Sequence, residues 1–257
     1  EWEKNNNIKR VLLIGEGDHF CAGGDVKSLS LDGKKSSLRK DFFFSEYKLN
    51  YQISNFKKTY LSLWNGVVMG GGIGLSLYGN YRIATDTTKL AMPETAIGFF
   101  PDVGGSYFLP RIKKNYGIFL GLTGQILNAN EILNLGLGTH YCPQNKSEDL
   151  IDQFIETGTI KKFSIPIVTE KSILESIDSI LSCFQGNIKN IFENLEKHGS
   201  EIAVKYLKIM KKKCPMSLAV TIELLNEGSK KELKQCLEME YKLSQNMVYR
   251  NDFDEGI

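Results

Sequence analysis

The chain has 257 residues, 42% of them apolar and 24% charged, which is ordinary globular usage and excludes a disordered or fibrous protein. Lys and Arg total 32 against 30 Asp and Glu, so the formal charge is only +2 and no nucleic-acid partner is expected. The five cysteines are widely spaced and odd in number, which argues against a disulfide framework or a zinc knuckle and makes a reducing compartment the default expectation. No apolar run approaches the roughly 18–20 residues of a membrane span, so no membrane partner is expected either. Glu1-Trp2-Glu3-Lys4 is neither a basic leader nor a methionine start, so we expect a trimmed chain with no visible targeting segment.

Seventeen of the 24 glycines lie at or before Gly124. Special backbone geometry is therefore expected in 1–124 and mostly helices in 125–257. Val11 to Ile14 predicts a buried strand ending at Gly15. A loop follows through Cys21-Ala22-Gly23-Gly24, and Asp25 is suited to cap a short helix. From Leu38 to Phe56, the residues Phe43, Tyr47 and Tyr51 recur every four positions, one face of an amphipathic helix. Tyr60 to Trp64 predicts a second strand. Asn65-Gly66 makes a turn, and the glycine run from Met69 to Gly74 opens a helix through Leu77. Tyr81 to Thr85 and Lys89 to Met92 predict two more strands. This alternation makes the fold class α/β.

Farther on, Asn128-x-x-Glu131, Ser172-x-x-Glu175 and Ser229-x-x-Glu232 have the form of capping boxes that open helices. Pro215 suits the first turn of another helix. Leu233, Cys236, Leu237, Glu240, Ser244, Met247 and Val248 keep three- and four-residue spacing, mostly apolar. Lys211-Lys212-Lys213 predicts a solvated run at a helix end.

The two glycine clusters each follow a predicted strand and precede a predicted helix. A helix start carries backbone N–H groups with no intrahelical partner. Glycine lets a ligand approach that backbone. Two such ends could aim two N–H groups at one carbonyl oxygen, an oxyanion hole. The same cluster also serves tight packing, and the run from Gly70 to Gly74 does not complete a dinucleotide G-x-G-x-x-G, because Leu77 stands at its third glycine. Next, Glu94 and Asp102 lie eight residues apart in an apolar, glycine-rich stretch. Desolvation there raises carboxyl pKa values and suits proton transfer. Each acid could instead simply fix a turn.

Three stretches carry a family resemblance. They are Phe20-Cys21-Ala22-Gly23-Gly24-Asp25-Val26-Lys27, the run from Asn65 to Ser76 with Met69-Gly70-Gly71-Gly72-Ile73-Gly74, and Ala91 through Arg111. In order and spacing the chain resembles the crotonase (enoyl-CoA hydratase/isomerase) superfamily. Within it the stretch holding Pro93-Glu94-Thr95 and Phe100-Pro101-Asp102-Val103-Gly104-Gly105 is similar to the 3-hydroxyisobutyryl-CoA hydrolases. The likeness runs on to Tyr249 through Gly256.

The resemblance implies a crotonase-like β-β-α spiral core over 1–124, short of its N-terminal part, completed by a helical region over 125–257. It implies a trimer-type homo-oligomer and a mitochondrial location. By position, the backbone N–H groups of Gly24 and Gly71 are the oxyanion donors. Glu94 is the nucleophile or the base. Asp102 and Glu46 are substrate-contacting acids, Asp102 binding a substrate hydroxyl or assisting proton transfer. For Glu46 the plain reading is a solvated helix glutamate. The position of the second hydratase glutamate holds Gly74, which cannot transfer a proton.

The expected reaction is hydrolysis of a short branched 3-hydroxyacyl-CoA, with 3-hydroxyisobutyryl-CoA from valine breakdown as first choice. No metal and no cofactor is expected beyond the coenzyme A in the substrate. Two alternatives stay open, an enoyl-CoA hydratase or isomerase and a structural component of a mitochondrial ribosome. Phe99, Phe100, Val103 and Tyr107 are expected to line the acyl pocket. If the glycines after Asp102 open a helix, its dipole should keep that carboxyl ionised.

Overall fold

A computed structural model describes residues 1–32, 36–160 and 172–257. The strands are β1 (Arg10–Ile14), β2 (Thr59–Trp64), β3 (Val67–Met69), β4 (Tyr81–Ala84), β5 (Lys89–Ala91) and β6 (His140–Tyr141). The helices are α1 (Val26–Leu31), α2 (Leu38–Ser54), α3 (Gly71–Ser76), α4 (Gly105–Phe108), α5 (Tyr116–Thr123), α6 (Ala129–Asn134) and α7 (Ser147–Thr157). They continue as α8 (Leu174–Asp178), α9 (Ile188–His198), α10 (Glu201–Met210), α11 (Pro215–Gly228), α12 (Leu233–Met247) and α13 (Asn251–Gly256). Each strand expected from the sequence before Gly124 is present, but β1 is only partly buried, with Ile14 exposed.

The chain forms two compact units, each assembled from separate stretches. The first takes Glu1–Gly23, Leu49–Leu90 and Ile126–Ser172, and the second takes Gly24–Lys48, Ala91–Gln125 and Ile173–Ile257. This division differs from a partition at residue 124. The reason is visible in α5, where Tyr116, Gly117, Phe119, Leu120, Gly121, Leu122 and Thr123 are all buried. A helix apolar all round must be covered on several sides. The covering helices are α10 and α11, far along the chain.

In the first unit, four parallel strands lie in the order β1-β2-β4-β6. Val11 stands opposite Tyr60, Leu61 opposite Tyr81, and Ile83 opposite His140. A parallel sheet is covered on both faces, so its inner strands lose the alternation of polar and apolar residues. Accordingly Tyr60, Leu61, Leu63 and Trp64 of β2 are all buried. Leu61, Leu63 and Ile83 pack with Cys142, with Leu150 and Phe154 of α7, and with Ile160. β3 and β5 form a separate two-stranded ladder.

The second unit is helical. Asp25 caps α1 as expected, its carboxylate accepting the Ser28 N–H at 3.0 Å. In α2, Phe43 and Tyr47 face inward, whereas Tyr51 beyond them is exposed. Arg39 is fully buried on the same helix. Its guanidinium donates to the carbonyls of Leu29 at 2.9 Å, Ser30 at 3.2 Å and Val248, and to Asp254 Oδ1 at 2.7 Å. The rings of Tyr249 and Phe253 flank it. Phe119 meets Phe184 and Tyr206 edge-on, with centroids 5.2 and 4.7 Å away. Pro215 opens α11.

Of the three expected capping boxes, Asn128 with Glu131 forms one in the first unit. The other two differ. Helix α8 begins at Leu174 with Ile173 at its cap and no capping side chain. Ser229 keeps helical dihedrals and ends α11, its hydroxyl donating back to the Asn226 carbonyl at 2.7 Å. The next helix is capped three residues later by Glu232, which forms a box with Gln235.

Candidate active site

Glu94 follows β5 on a single 3-10 turn, Glu94–Ile97, that begins after Pro93 and ends at Gly98. Gly98 has φ 70°, and a side chain there would run into the backbone of Asp252 and Phe253. Glycine is thus required both by conformation and by close approach. The turn is pinned on its far side, because the Cys214 N–H donates to the Thr95 carbonyl at 3.1 Å. Glu94 is 6% exposed, and its Oε2 is buried without a hydrogen-bond partner. Burial, then the neighbouring Asp102, push its pKa well above the ordinary range. A buried carboxylate oxygen left open in this way is costly, and such groups mark places where a ligand or water completes the site.

Asp102 is buried, and the Tyr47 hydroxyl donates to its Oδ2 at 2.7 Å. Burial pushes it up to about 7, against the pull of the Tyr47 hydrogen bond. Glu46, one residue before Tyr47 on α2, is half-buried. Its pKa is pushed up to about 8, by burial first and then by Asp102 and Glu240. This half-burial argues against the solvated reading of Glu46. Glu46, Glu94 and Asp102 come together in the second unit.

The expectation that a helix dipole keeps Asp102 ionised is also overturned. Helix α4 begins at Gly105, with Gly104 at its cap. Its free N–H groups are answered by Glu240 of α12 instead. Glu240 Oε2 accepts from the Gly104 N–H at 2.7 Å, and Oε1 accepts from the Ser106 N–H at 2.9 Å and the Ser106 hydroxyl at 2.5 Å. Glu240 is fully buried, and burial lifts it to about 8. It escapes sequence reasoning because it sits among the apolar positions of α12. A lone acid on an otherwise apolar helical face was the available signal.

Lys213 is a second such case. Lys211 is exposed and pairs with Glu196 at 3.1 Å, as a solvated run should. Lys213 is half-buried, close to Gly124 and to Pro93, the residue before Glu94. Burial lowers its pKa while the Glu94 carboxylate raises it. The expected pocket aromatics are otherwise engaged. Phe99 stacks on Phe100 at 4.3 Å and on Phe43 at 5.2 Å, so these rings fill a packed cluster. Arg111 lies over the Tyr107 ring at 3.8 Å.

The glycine loops are placed as follows. In the first unit, the Cys21 N–H donates to the Val67 carbonyl at 3.0 Å and the Met69 N–H to the Cys21 carbonyl at 2.9 Å. This ladder lays Gly23 against the start of α3. Gly23 has φ 113°, and a Cβ there would stand 3.7 Å from the Gly71 nitrogen. Gly71 is the first residue of α3, after Gly70 at φ 50°. Its N–H belongs to the first turn, where no intrahelical acceptor exists. Gly24 belongs to the second unit, where the Phe42 ring occupies the space a side chain would need. Gly74 is buried inside α3. Among the described residues, no three His, Cys, Asp or Glu side chains are grouped to hold a metal ion. No helix among them is long and apolar enough to cross a membrane.

Relatives are detected over the whole chain. A family model for enoyl-CoA hydratase/isomerase matches residues 1–257. The human protein named 3-hydroxyisobutyryl-CoA hydrolase, mitochondrial, is 40% identical over 273 aligned residues, covering 100% of this chain and 71% of its own. A crystal structure of a carnitinyl-CoA dehydratase from Mycobacterium thermoresistibile superposes with a TM-score of 0.93 at 33% identity, over 99% of this chain and 77% of that one. An enoyl-CoA hydratase from Rhodobacter sphaeroides gives 0.91 at 32%, over 100% and 77%. The expected α/β crotonase fold is therefore the fold observed, and full-length sequence similarity accompanies it. On sequence and on structure alike, the chain belongs to the enoyl-CoA hydratase/isomerase family.

Proposed function

We propose that this protein hydrolyses the thioester of a short branched 3-hydroxyacyl-CoA, with 3-hydroxyisobutyryl-CoA as the first candidate. The observation that carries the reading is the buried, unpartnered Oε2 of Glu94 beside two carboxyls of raised pKa. The names of the relatives supply the substrate class. The N–H groups of Gly71 and Gly24 polarise the thioester carbonyl and stabilise the tetrahedral oxyanion. Ionised Glu94 either attacks the carbonyl carbon, expelling the CoA thiolate and forming an anhydride that water opens, or takes a proton from an attacking water. Asp102, held by Tyr47, meets the substrate hydroxyl. Glu46, on the turn that carries Tyr47, contacts the substrate as a second acid. The cation of Lys213 favours the ionised form of Glu94.

Gly74 stands against hydration, since that reaction needs a second proton-transfer group at this position. The solved relatives named dehydratase and hydratase favour a second reading, in which a protonated Asp102 or Glu46 supplies that proton. Release of CoA from 3-hydroxyisobutyryl-CoA, isobutyryl-CoA, palmitoyl-CoA and crotonyl-CoA, together with hydration of crotonyl-CoA, separates the two. We expect the fastest release from the short hydroxyacyl thioester. Hydration of crotonyl-CoA faster than any CoA release would overturn the hydrolase. The mitochondrial names of the relatives support a mitochondrial site of action. A trimer-type assembly is the corresponding proposal for the oligomer, to be read by sedimentation.

A further inference from the structure

Val103 is buried and has φ 49°, a left-handed conformation that disfavours a β-branched residue. It lies between Asp102 and Gly104, and Gly104 has φ 87°. The Gly105 N–H folds back onto the Asp102 carbonyl at 2.6 Å. Asp102 therefore stands at the head of a tight, strained turn. Strain of this kind persists only where the surroundings over-determine the backbone. Tyr47 holds the Asp102 carboxyl, and a second side chain holds the backbone of the turn. Glu240, 136 residues from Gly104 in sequence, grips the turn through the Gly104 N–H, the Ser106 N–H and the Ser106 hydroxyl. No cation pairs with Glu240 among the described residues, so a surface-type ion pair is not its purpose.

We propose that Glu240 is a positioning residue for the acyl-CoA reaction, whose carboxylate fixes the Val103–Gly104 turn and through it the place of Asp102. This rests on the reading that Asp102 touches the substrate. The chemistry needs an acceptor at both oxygens. A Gln side chain has the same shape but turns one acceptor into a donor, which then faces a backbone N–H. One grip on the turn is lost while the volume of the core is kept.

The test is a double-mutant cycle of Glu240→Gln and Asp102→Asn, read as kcat/KM on 3-hydroxyisobutyryl-CoA and on isobutyryl-CoA. Displacing a contact group by a fraction of an ångström to an ångström is expected to lower turnover roughly ten- to hundredfold. For Glu240→Gln this loss should fall mainly on the hydroxylated substrate. If Glu240 acts through Asp102, the double variant loses no more than Asp102→Asn alone, within about twofold. Losses that multiply, or a folded Glu240→Gln with unchanged kinetics, overturn the proposal. Should Glu240→Gln fail to fold, Ser106→Ala removes the hydroxyl contact alone. It should give a smaller loss that is likewise absent in the Asp102→Asn background, and a multiplying loss again overturns it. A wild type that releases no CoA defeats the hydrolase reading and not this one. The cycle is then read on calorimetric binding of 3-hydroxybutyryl-CoA against butyryl-CoA, with the same criterion.

Discussion

Asp102→Asn should make the fold less sensitive to alkali. The wild-type carboxyl is held at about 7 against an ordinary 3.8, mainly by burial. A raised acid favours the folded state while it is protonated. Its contribution is fully present below about pH 4 and is lost as the pH rises through 7. At about 1.4 kcal/mol per pH unit, ionising this group in place costs the fold on the order of 4 kcal/mol by pH 9. Asparagine carries no charge and can still accept the Tyr47 hydroxyl. Between pH 5 and pH 9 the wild type loses about 3 kcal/mol of this contribution, so at roughly 2–4 °C per kcal/mol the fall in Tm should shrink by roughly 5–10 °C in the variant. Glu46 and Glu240 still titrate near 8, so the slope flattens without vanishing. Thermal unfolding of both proteins across that range, without substrate, reads the difference. Parallel curves would show that Asp102 does not bear the desolvation cost argued here.

Glu94→Gln should lower CoA release roughly 100-fold or more on every acyl-CoA, since it removes the group assigned to the chemical step; a variant that retains a tenth of wild-type turnover would displace Glu94 from that role. Lys213→Met should move the acid limb of kcat/KM to higher pH, because the lost cation lowers the Glu94 pKa in the wild type. A limb that stays or moves down contradicts the pairing. Arg39→Met leaves three carbonyls and Asp254 without their buried donor and should destabilise the protein by about 3 kcal/mol or more in urea unfolding. A loss under about 1 kcal/mol would mean that water replaces the guanidinium.

Local chemistry explains what was legible in the sequence. Strands β1, β2, β4 and β5 show as short apolar runs bounded by glycine or turn residues. Asp25, Asn128 and Pro215 carry their helix-start signals in their own side chains. Glu94 and Asp102 stand out because acids are rare in apolar, glycine-rich stretches. The rest depends on partners distant along the chain. Ser229 resembles a cap, but Gly228 continues α11 and moves the next cap to Glu232. Asp102 resembles a dipole-stabilised carboxylate, and only the arrival of Glu240 from α12 shows that the helix start is already occupied. Lys213 reads as the last of three solvated lysines until the fold turns it inward beside the approach to Glu94. The aromatic pair Phe99 and Phe100 is equally suited to a pocket wall or a core, and the stacking on Phe43 decides for the core.

The guanidinium of Arg39 also sets an order of assembly. It lies near the start of the second unit, yet its acceptors include Val248 and Asp254, separated from it by 209 and 215 residues. While the chain emerges from the ribosome, this charged group has only its local acceptors at Leu29 and Ser30 until Val248 and Asp254 have left the exit tunnel. Contacts of such long sequence separation close late and slow folding. A nascent chain stalled before Val248 would hold an Arg39 without its Val248 and Asp254 acceptors, and would leave Phe99 without the Phe253 ring that packs on it at 5.7 Å. Such an unfinished fold carries exposed apolar surface of the kind that promotes aggregation.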